Sequence, residues 1–253
     1  MINIYSQQEI ETLKKSGAIL SNVLRTVSQQ VQPGISTLEL NEMAEKLIRE
    51  AGGEPAFLGY EDRNKRRYPA SLCTSVNEEL VHCLPQRDKK LRVGDIVSLD
   101  LGVRFQGMHT DMAVTVPVGS ISAETEKLVR TTRESLEKAI QILKPGITIG
   151  DIGNVIQRHA ESQGFSVIRD LVGHGVGYAV HEDPKIPNFG RPGTGLKLRA
   201  GMVLAIEPML AVGSYKIKTM PDGWGIAMAD GSLSAHFEKT VALTEKGCIV
   251  LTP

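Results

Sequence analysis

Apolar residues recur at helical spacing in four stretches of the chain. Behind Ser6, "SQQE" forms a capping box, and Ile10, Leu13, Leu20, Leu24 and Val27 make one apolar stripe. A second helix follows Pro33-Gly34, capped by Ser36 with Glu39 three residues on, and stops at Gly52-Gly53. The third runs from about Ser122 to Lys144, ended by Pro145-Gly146, and the fourth from near Thr148 to Gly164. Between the two helix pairs the period changes to two. "DIVSLDLGVRFQGMHTDMAVTV" reads as two strands around a turn signal at residues 104–107, and "GMVLAIEPML" and "SAHFEKTVAL" supply further strands.

The first and second helix pairs echo one another. At one constant spacing Pro33 matches Pro145, Gly34 matches Gly146, Ile35 matches Ile147, Ser36 matches Thr148 as the cap, and Gly52 matches Gly164 as the stop. Pro-Gly before a helix and Gly after it are generic grammar, but the isoleucine match and the equal lengths go further. A duplicated α+β unit predicts two similar halves, about 1–120 and 121–253, facing each other across a site within one domain spanning 1–253.

The apolar strands carry acids, and this is their oddity. A turn centred between Phe105 and Gln106 places Asp100 directly opposite Asp111, with Cβ atoms roughly 5 Å apart. Like charges there repel, and an unpaired carboxylate out of water is costly. No Lys or Arg of the hairpin shares that face, so a metal ion is the economical counter-charge. Two edge aspartates in a misregistered hairpin fit the hairpin alone as well. The second half adds weight, because Glu207 ends one apolar strand and Glu238 sits within another, where acids seldom lie without partners. His174, among the glycines of "GHGVG", and His181, in "HEDP", lie between the hairpin and these glutamates along the chain.

Composition narrows the class. The chain has 253 residues, and its 29 basic and 29 acidic side chains cancel, so no charge excess points to nucleic acid or a membrane surface. Three cysteines are too few for a disulfide scaffold and suit a reducing cytosol. No apolar leader core and no membrane-length apolar run is visible, which predicts a cytoplasmic globular protein. HExxH, GxSxG, P-loop and CxxC motifs are absent, and "GHGVG" lacks the dinucleotide spacing.

Asp100, Asp111, His174, Glu207 and Glu238 together offer one nitrogen and several carboxylates. That donor set suits Mn, Fe(II), Co or Zn and is unlike a sulfur-rich structural site. Four carboxylates neutralise two divalent ions, as in two-metal hydrolases whose ions share carboxylates and acidify a water for attack.

The order Asp100, Asp111, "GHGVG", "HEDP", "IEP" and "SAHFEKT", with "TSVNEELVHCLP" upstream, resembles the type I methionine aminopeptidases of the M24 metallopeptidase family over nearly the whole chain. No zinc-finger extension is seen, so the resemblance is to the short bacterial form. It implies the α+β pita-bread (creatinase/aminopeptidase) fold, two pseudo-symmetric halves with an antiparallel sheet and flanking helices. It implies removal of the initiator methionine before a small second residue, using two divalent ions (Co, Mn, Fe(II) or Zn). Asp100 and Asp111 would hold the second ion, Asp111 and Glu238 would bridge, and His174 and Glu207 would complete the first site. Glu207 would also relay a proton, His82 would hydrogen-bond the scissile-bond nitrogen, and His181 would steady the substrate carbonyl. Tyr60, Tyr68, Cys73, His82 and Trp224 would line the methionine pocket. The partners implied are N-termini of nascent polypeptides, with ribosome association, for a monomer that needs neither membrane nor DNA.

Three departures from the family pattern bear on the pocket. Phe57 stands where a small residue is expected, Thr110 replaces a usual glycine, and residues 61–67, "EDRNKRR", lengthen the loop between Tyr60 and Tyr68. That loop reads either as a solvated excursion or as a lid or basic contact with ribosomal RNA. The rival readings are a proline-specific peptidase of the same fold, which usually carries an additional N-terminal domain, and a non-enzymatic binding protein, which typically loses ligands.

Overall fold

The structure, a computed structural model, describes residues 2–62 and 64–253. Arg63, part of the lengthened loop, lies outside the described residues, as does Met1. Four helices, α1 (Gln7–Ser28), α2 (Thr37–Glu50), α3 (Ala123–Gln141) and α4 (Ile149–Ser162), begin at the side-chain caps Ser6, Ser36, Ser122 and Thr148. Those at Ser6, Ser36 and Thr148 are full capping boxes, satisfying otherwise orphaned first-turn amides. Helix α3 stops at Gln141, short of the predicted Lys144. Lys144 precedes proline, which disfavours helical backbone, and Leu143 instead turns into the core.

The helices cover one face of a nine-stranded antiparallel sheet. Its central path runs Glu54–Pro55, Ile96–Phe105, Met108–Pro117, Glu238–Thr244, Val203–Ile206, Val172–Gly175, Glu182–Pro187. Leu20, Leu24, Leu40 and Ile48 of α1 and α2 pack on Val97, Leu99, Leu101 and Val103. Leu128, Leu136, Ile152 and Ile156 of α3 and α4 pack on Leu204, Ile206, Val241 and Leu243. Both of these cores lie on one side of the sheet, while on the other a smaller cluster joins Ile10 and Leu13 to Val203, Ala205 and Ala242 and other positions carry polar groups.

The helix pairs are entered in the same way. Gly34 and Gly146 both adopt positive φ, 93° and 95°, a region open to glycine at low cost. Their amides donate to Leu91 and Leu198, and those two residues donate back to Ile35 and Ile147. The matched residues noted in the sequence therefore share one backbone hydrogen-bond pattern.

The Ile96–Phe105 and Met108–Pro117 hairpin corrects one expectation. Phe105 pairs with Met108, so the turn is Gln106-Gly107, both at positive φ (50° and 85°), as a tight two-residue hairpin turn requires. Asp100 consequently pairs with Ala113, and Asp111 with Gly102. The two aspartates are diagonal neighbours, two residues offset, rather than directly opposed. They keep the same face, because a two-residue shift preserves side-chain parity.

Candidate active site

Sheet register assembles the acidic cluster. Asp100 is opposite Ala113, and Ala113 is opposite Glu238 on the next strand, so Asp100 and Glu238 share a face across three strands. Asp111, two residues from Ala113, shares it too. Lys239 pairs with Ile206, which brings Glu207 up beside Glu238 one step on. His174 pairs with Ala205, two residues before Glu207, and so falls on that face as well. Where the two halves meet, the strands share only two backbone pairs, Glu238 with Ala113 and Lys239 with Met112. Thr240 reinforces this join: its Oγ1 accepts from the Asp111 amide (2.9 Å) and donates to the Asp111 carbonyl (2.8 Å).

All five side chains line one cavity of about 400 Å³. His82, His181, Tyr60, Tyr68, Cys73 and Trp224 line it too, so every ligand and pocket candidate read from the sequence faces the same space. His82 follows the short strand Glu79–Val81 at φ 59°, and this left-handed backbone turns its ring inward. His181 stacks edge-on against His174 (ring centroids 4.6 Å), and its Nδ1 is 3.0 Å from the Tyr60 hydroxyl.

The cluster carries more negative charge than the protein can compensate. Asp100, Asp111 and Glu238 are buried, and among the described residues no Lys or Arg lines that floor. Burial pushes the Asp100 carboxyl up to about 6. Burial and the neighbouring carboxylates hold Asp111 and Glu238 well above the usual range, and burial does the same for Glu207. Asp100 Oδ1 and Glu238 Oε1 have no hydrogen-bond partner among the described residues. Such buried orphans are expensive unless something positive joins them.

The donor set fits a divalent metal. His174 Nδ1 donates to the Gly175 carbonyl at 2.9 Å, which fixes the tautomer and leaves Nε2 as a free lone pair. That Nε2 is 3.6 Å from Glu207 Oε1 and 3.9 Å from Glu238 Oε1. Burial and His181 push its ring down to about 3, so it stays neutral and able to ligate. Asp111, His174 and Glu238 each present a donor atom within 4.8 Å of the others.

A second triplet was missed in the sequence: Glu207, His236 and Glu238 form another such group. The signal was present, since His236 precedes Glu238 by two residues in "SAHFEKT".

The rim is made of loops. Tyr68 stands edge-on to Trp224 (5.2 Å), and Phe57 packs with Tyr68, Ala70 and Cys73. Phe57 thus fills wall space in the pocket, against Gly102, where any Cβ would meet its ring at 2.7 Å. Thr110 points away from the site, its Oγ1 3.0 Å from Ser16 Oγ of α1, so this departure leaves the pocket untouched. The lengthened loop folds on Asp62, whose carboxylate accepts from the Asn64 and Arg66 amides and from Arg66 Nε. Arg66 then reaches over the Trp224 ring (4.8 Å) and donates to the Gly223 carbonyl (2.9 Å). Asp62 and Arg66 both line the cavity.

Comparison with known proteins places the whole chain in one family. The sequence model of metallopeptidase family M24 matches residues 11–245. A methionine aminopeptidase of Clostridium perfringens is 50% identical over 252 residues, covering 100% of this chain and 99% of that protein. Methionine aminopeptidase 1 of Bacillus subtilis is 44% identical with the same coverage. Among solved structures, methionine aminopeptidase from Thermotoga maritima superposes with a TM-score of 0.96 at 47% identity, covering 100% of this chain and 99% of that one. The prolidase of Pyrococcus furiosus shares the fold at 24% identity and a TM-score of 0.76, with 99% of this chain matching 65% of the prolidase.

Proposed function

The chain belongs to metallopeptidase family M24, and from that premise we propose the roles of its cavity residues. The protein is an aminopeptidase that uses divalent metal to remove the N-terminal methionine of nascent proteins. Its fold is the α+β pita-bread fold shared with methionine aminopeptidases and prolidases. One observation carries the site assignment: sheet register brings Asp100, Asp111, His174, Glu207 and Glu238 to one face, beneath His82 and His181.

In our reading two divalent ions of the Mn, Fe(II), Co or Zn type are held here. His174 and Glu207 would hold the first and Asp100 the second, with Asp111 and Glu238 able to serve both. When bound, the ions supply Lewis-acid polarisation and an acidified water. Glu207 takes a proton from the attacking water and returns it towards the leaving amine. His82 hydrogen-bonds the scissile-bond nitrogen, whose N–H donates to the ring in the substrate. Burial and the nearby His181 and His236 push the His82 ring down to about 4, so it stays neutral and keeps a nitrogen free to accept. His181 stabilises the charge that grows on the carbonyl oxygen. Tyr60, Tyr68, Cys73 and Trp224, narrowed by Phe57, hold the methionine side chain in a mostly apolar wall. We further propose a cytoplasmic monomer consisting of one domain of two pseudo-repeat halves, acting beside the ribosome. Among the described residues no helix is long and apolar enough to cross a membrane.

The test is hydrolysis of Met-Ala-Ser by metal-stripped protein re-supplied with Mn, Fe(II), Co or Zn, beside Ala-Pro-Ser. Metal-dependent methionine release is the expected result. Cleavage of the proline peptide in its place would move the protein to the proline-specific branch of the fold.

A further inference from the structure

His236 is among the most buried polar side chains in the protein, 1% exposed, and neither ring nitrogen has a hydrogen-bond partner among the described residues. Its backbone is clamped: the amide donates to Thr115 Oγ1 and the carbonyl accepts from the same hydroxyl, both at 2.9 Å. The backbone at His236 is therefore held in place, and its ring Nε2 stands beside two carboxylates. Nε2 lies 3.3 Å from Glu207 Oε2 and 3.9 Å from Glu238 Oε2, directed at neither oxygen as a hydrogen bond requires.

His174 shows the same arrangement on the opposite oxygens. Its Nε2 is 3.6 Å from Glu207 Oε1 and 3.9 Å from Glu238 Oε1. Each glutamate thus turns one oxygen towards one imidazole and its second oxygen towards the other. Ligands on one ion at bond lengths of ~2.1 Å stand ~3.0–3.4 Å apart when octahedral or tetrahedral neighbours, so all four separations need only small closure.

We propose that His236 Nε2 is a ligand of the second ion, the one His174 does not hold, so that the centre has one imidazole per ion, with Glu238 serving both and Glu207, given to the first ion above, turning its other oxygen towards the second. This inference rests on the metal centre proposed above. It makes the second position a nitrogen-bearing site, which favours borderline ions such as Zn, Co or Fe(II) over the harder, oxygen-preferring Mn or Mg.

The experiment is proton NMR of the protein loaded with two equivalents of Co(II), together with calorimetric titration of metal into wild type and His236→Gln. An imidazole bound through Nε2 to paramagnetic Co(II) shows its exchangeable Nδ1–H far outside the normal range. Wild type is expected to show two such resonances, and His236→Gln one. The second equivalent should bind His236→Gln about 10–100-fold more weakly, with the first little changed. A wild-type spectrum with a single shifted imidazole proton overturns the proposal whether or not the variant folds. So does an unchanged second equivalent in a folded His236→Gln. No divalent metal uptake by wild type would overturn the metal centre itself, and the role of His236 with it.

Discussion

On the cavity floor, Asp100, Asp111 and Glu238 stand on adjoining strands whose pairing leaves their side chains one face. At the rim, Tyr60, Arg66 and Trp224 come from loops and meet through side chains: a ring stacked on a guanidinium, a hydroxyl beside an imidazole. The floor is held by backbone ladders and two apolar cores, yet it is the less comfortable region, with like charges buried and polar atoms orphaned. The rim is partly exposed, and its polar groups are locally paired. Stiffness is thus spent where the chemistry needs fixed charge, and the strain there is the mark of function rather than of poor packing.

The hardest blow to the floor should come from Asp111→Ala. We expect kcat/KM on Met-Ala-Ser to fall by at least about 10²–10³-fold, the scale of losing one preorganised electrostatic group. The metal-free variant should melt no lower than metal-free wild type, because a crowded buried carboxyl has gone. Metal should no longer raise its melting temperature as it does for wild type. Calorimetry with and without chelator reads both, and a large loss of metal-free stability would show that Asp111 serves packing instead.

His82 stands between floor and rim. His82→Gln should lower kcat by about 10²-fold, as removal of one proton-handling group does, and leave metal binding intact. A variant that changed KM alone would make His82 a pocket wall and nothing more.

The contrast also has a pH signature. The Asp100 carboxyl is raised from an ordinary 3.8 to about 6, with Asp111, Glu207 and Glu238 raised as well. In the metal-free protein these groups bind protons more tightly folded than unfolded. Their contribution is therefore fully present below the unfolded values and is lost as pH rises through the folded ones. Metal-free protein should lose melting temperature between about pH 4 and 6 and beyond, relative to the metal-loaded form. Parallel curves with and without metal would contradict the floor as drawn here.

How much of this was legible beforehand follows the same division. The helix caps at Ser6, Ser36 and Thr148 and the matched Pro-Gly entries were readable because capping and glycine turns are local chemistry. The face shared by Asp100 and Asp111 was readable from period two, although the register was not. Moving the turn to Gln106-Gly107 shifts the pairing by two, and parity survives that shift. His236 stands two residues before Glu238, a readable signal, but that spacing does not reveal the second glutamate, Glu207, that its ring meets. The rim was least legible. That Arg66 crosses to Trp224, 158 positions away in a different loop, depends on two loop conformations that no periodicity encodes.

That crossing supplies the smallest effect and the finest test of the comparison. Arg66 covers the outer face of Trp224 and ties the lengthened loop to Gly223, but its guanidinium is already paired with Asp62 and is about half exposed. A cation over an indole at such a site is worth about 0.5–1 kcal/mol. Arg66→Ala should therefore raise KM for Met-Ala-Ser only about 2–5-fold, leave kcat near wild type and leave metal affinity unchanged. Trp224→Ala, which removes the wall itself, should cost more in KM, again without touching metal. If Arg66→Ala instead lowered kcat or metal affinity, rim and floor would be mechanically one unit, and the loop would act as part of the catalytic frame rather than as a brace for the methionine pocket.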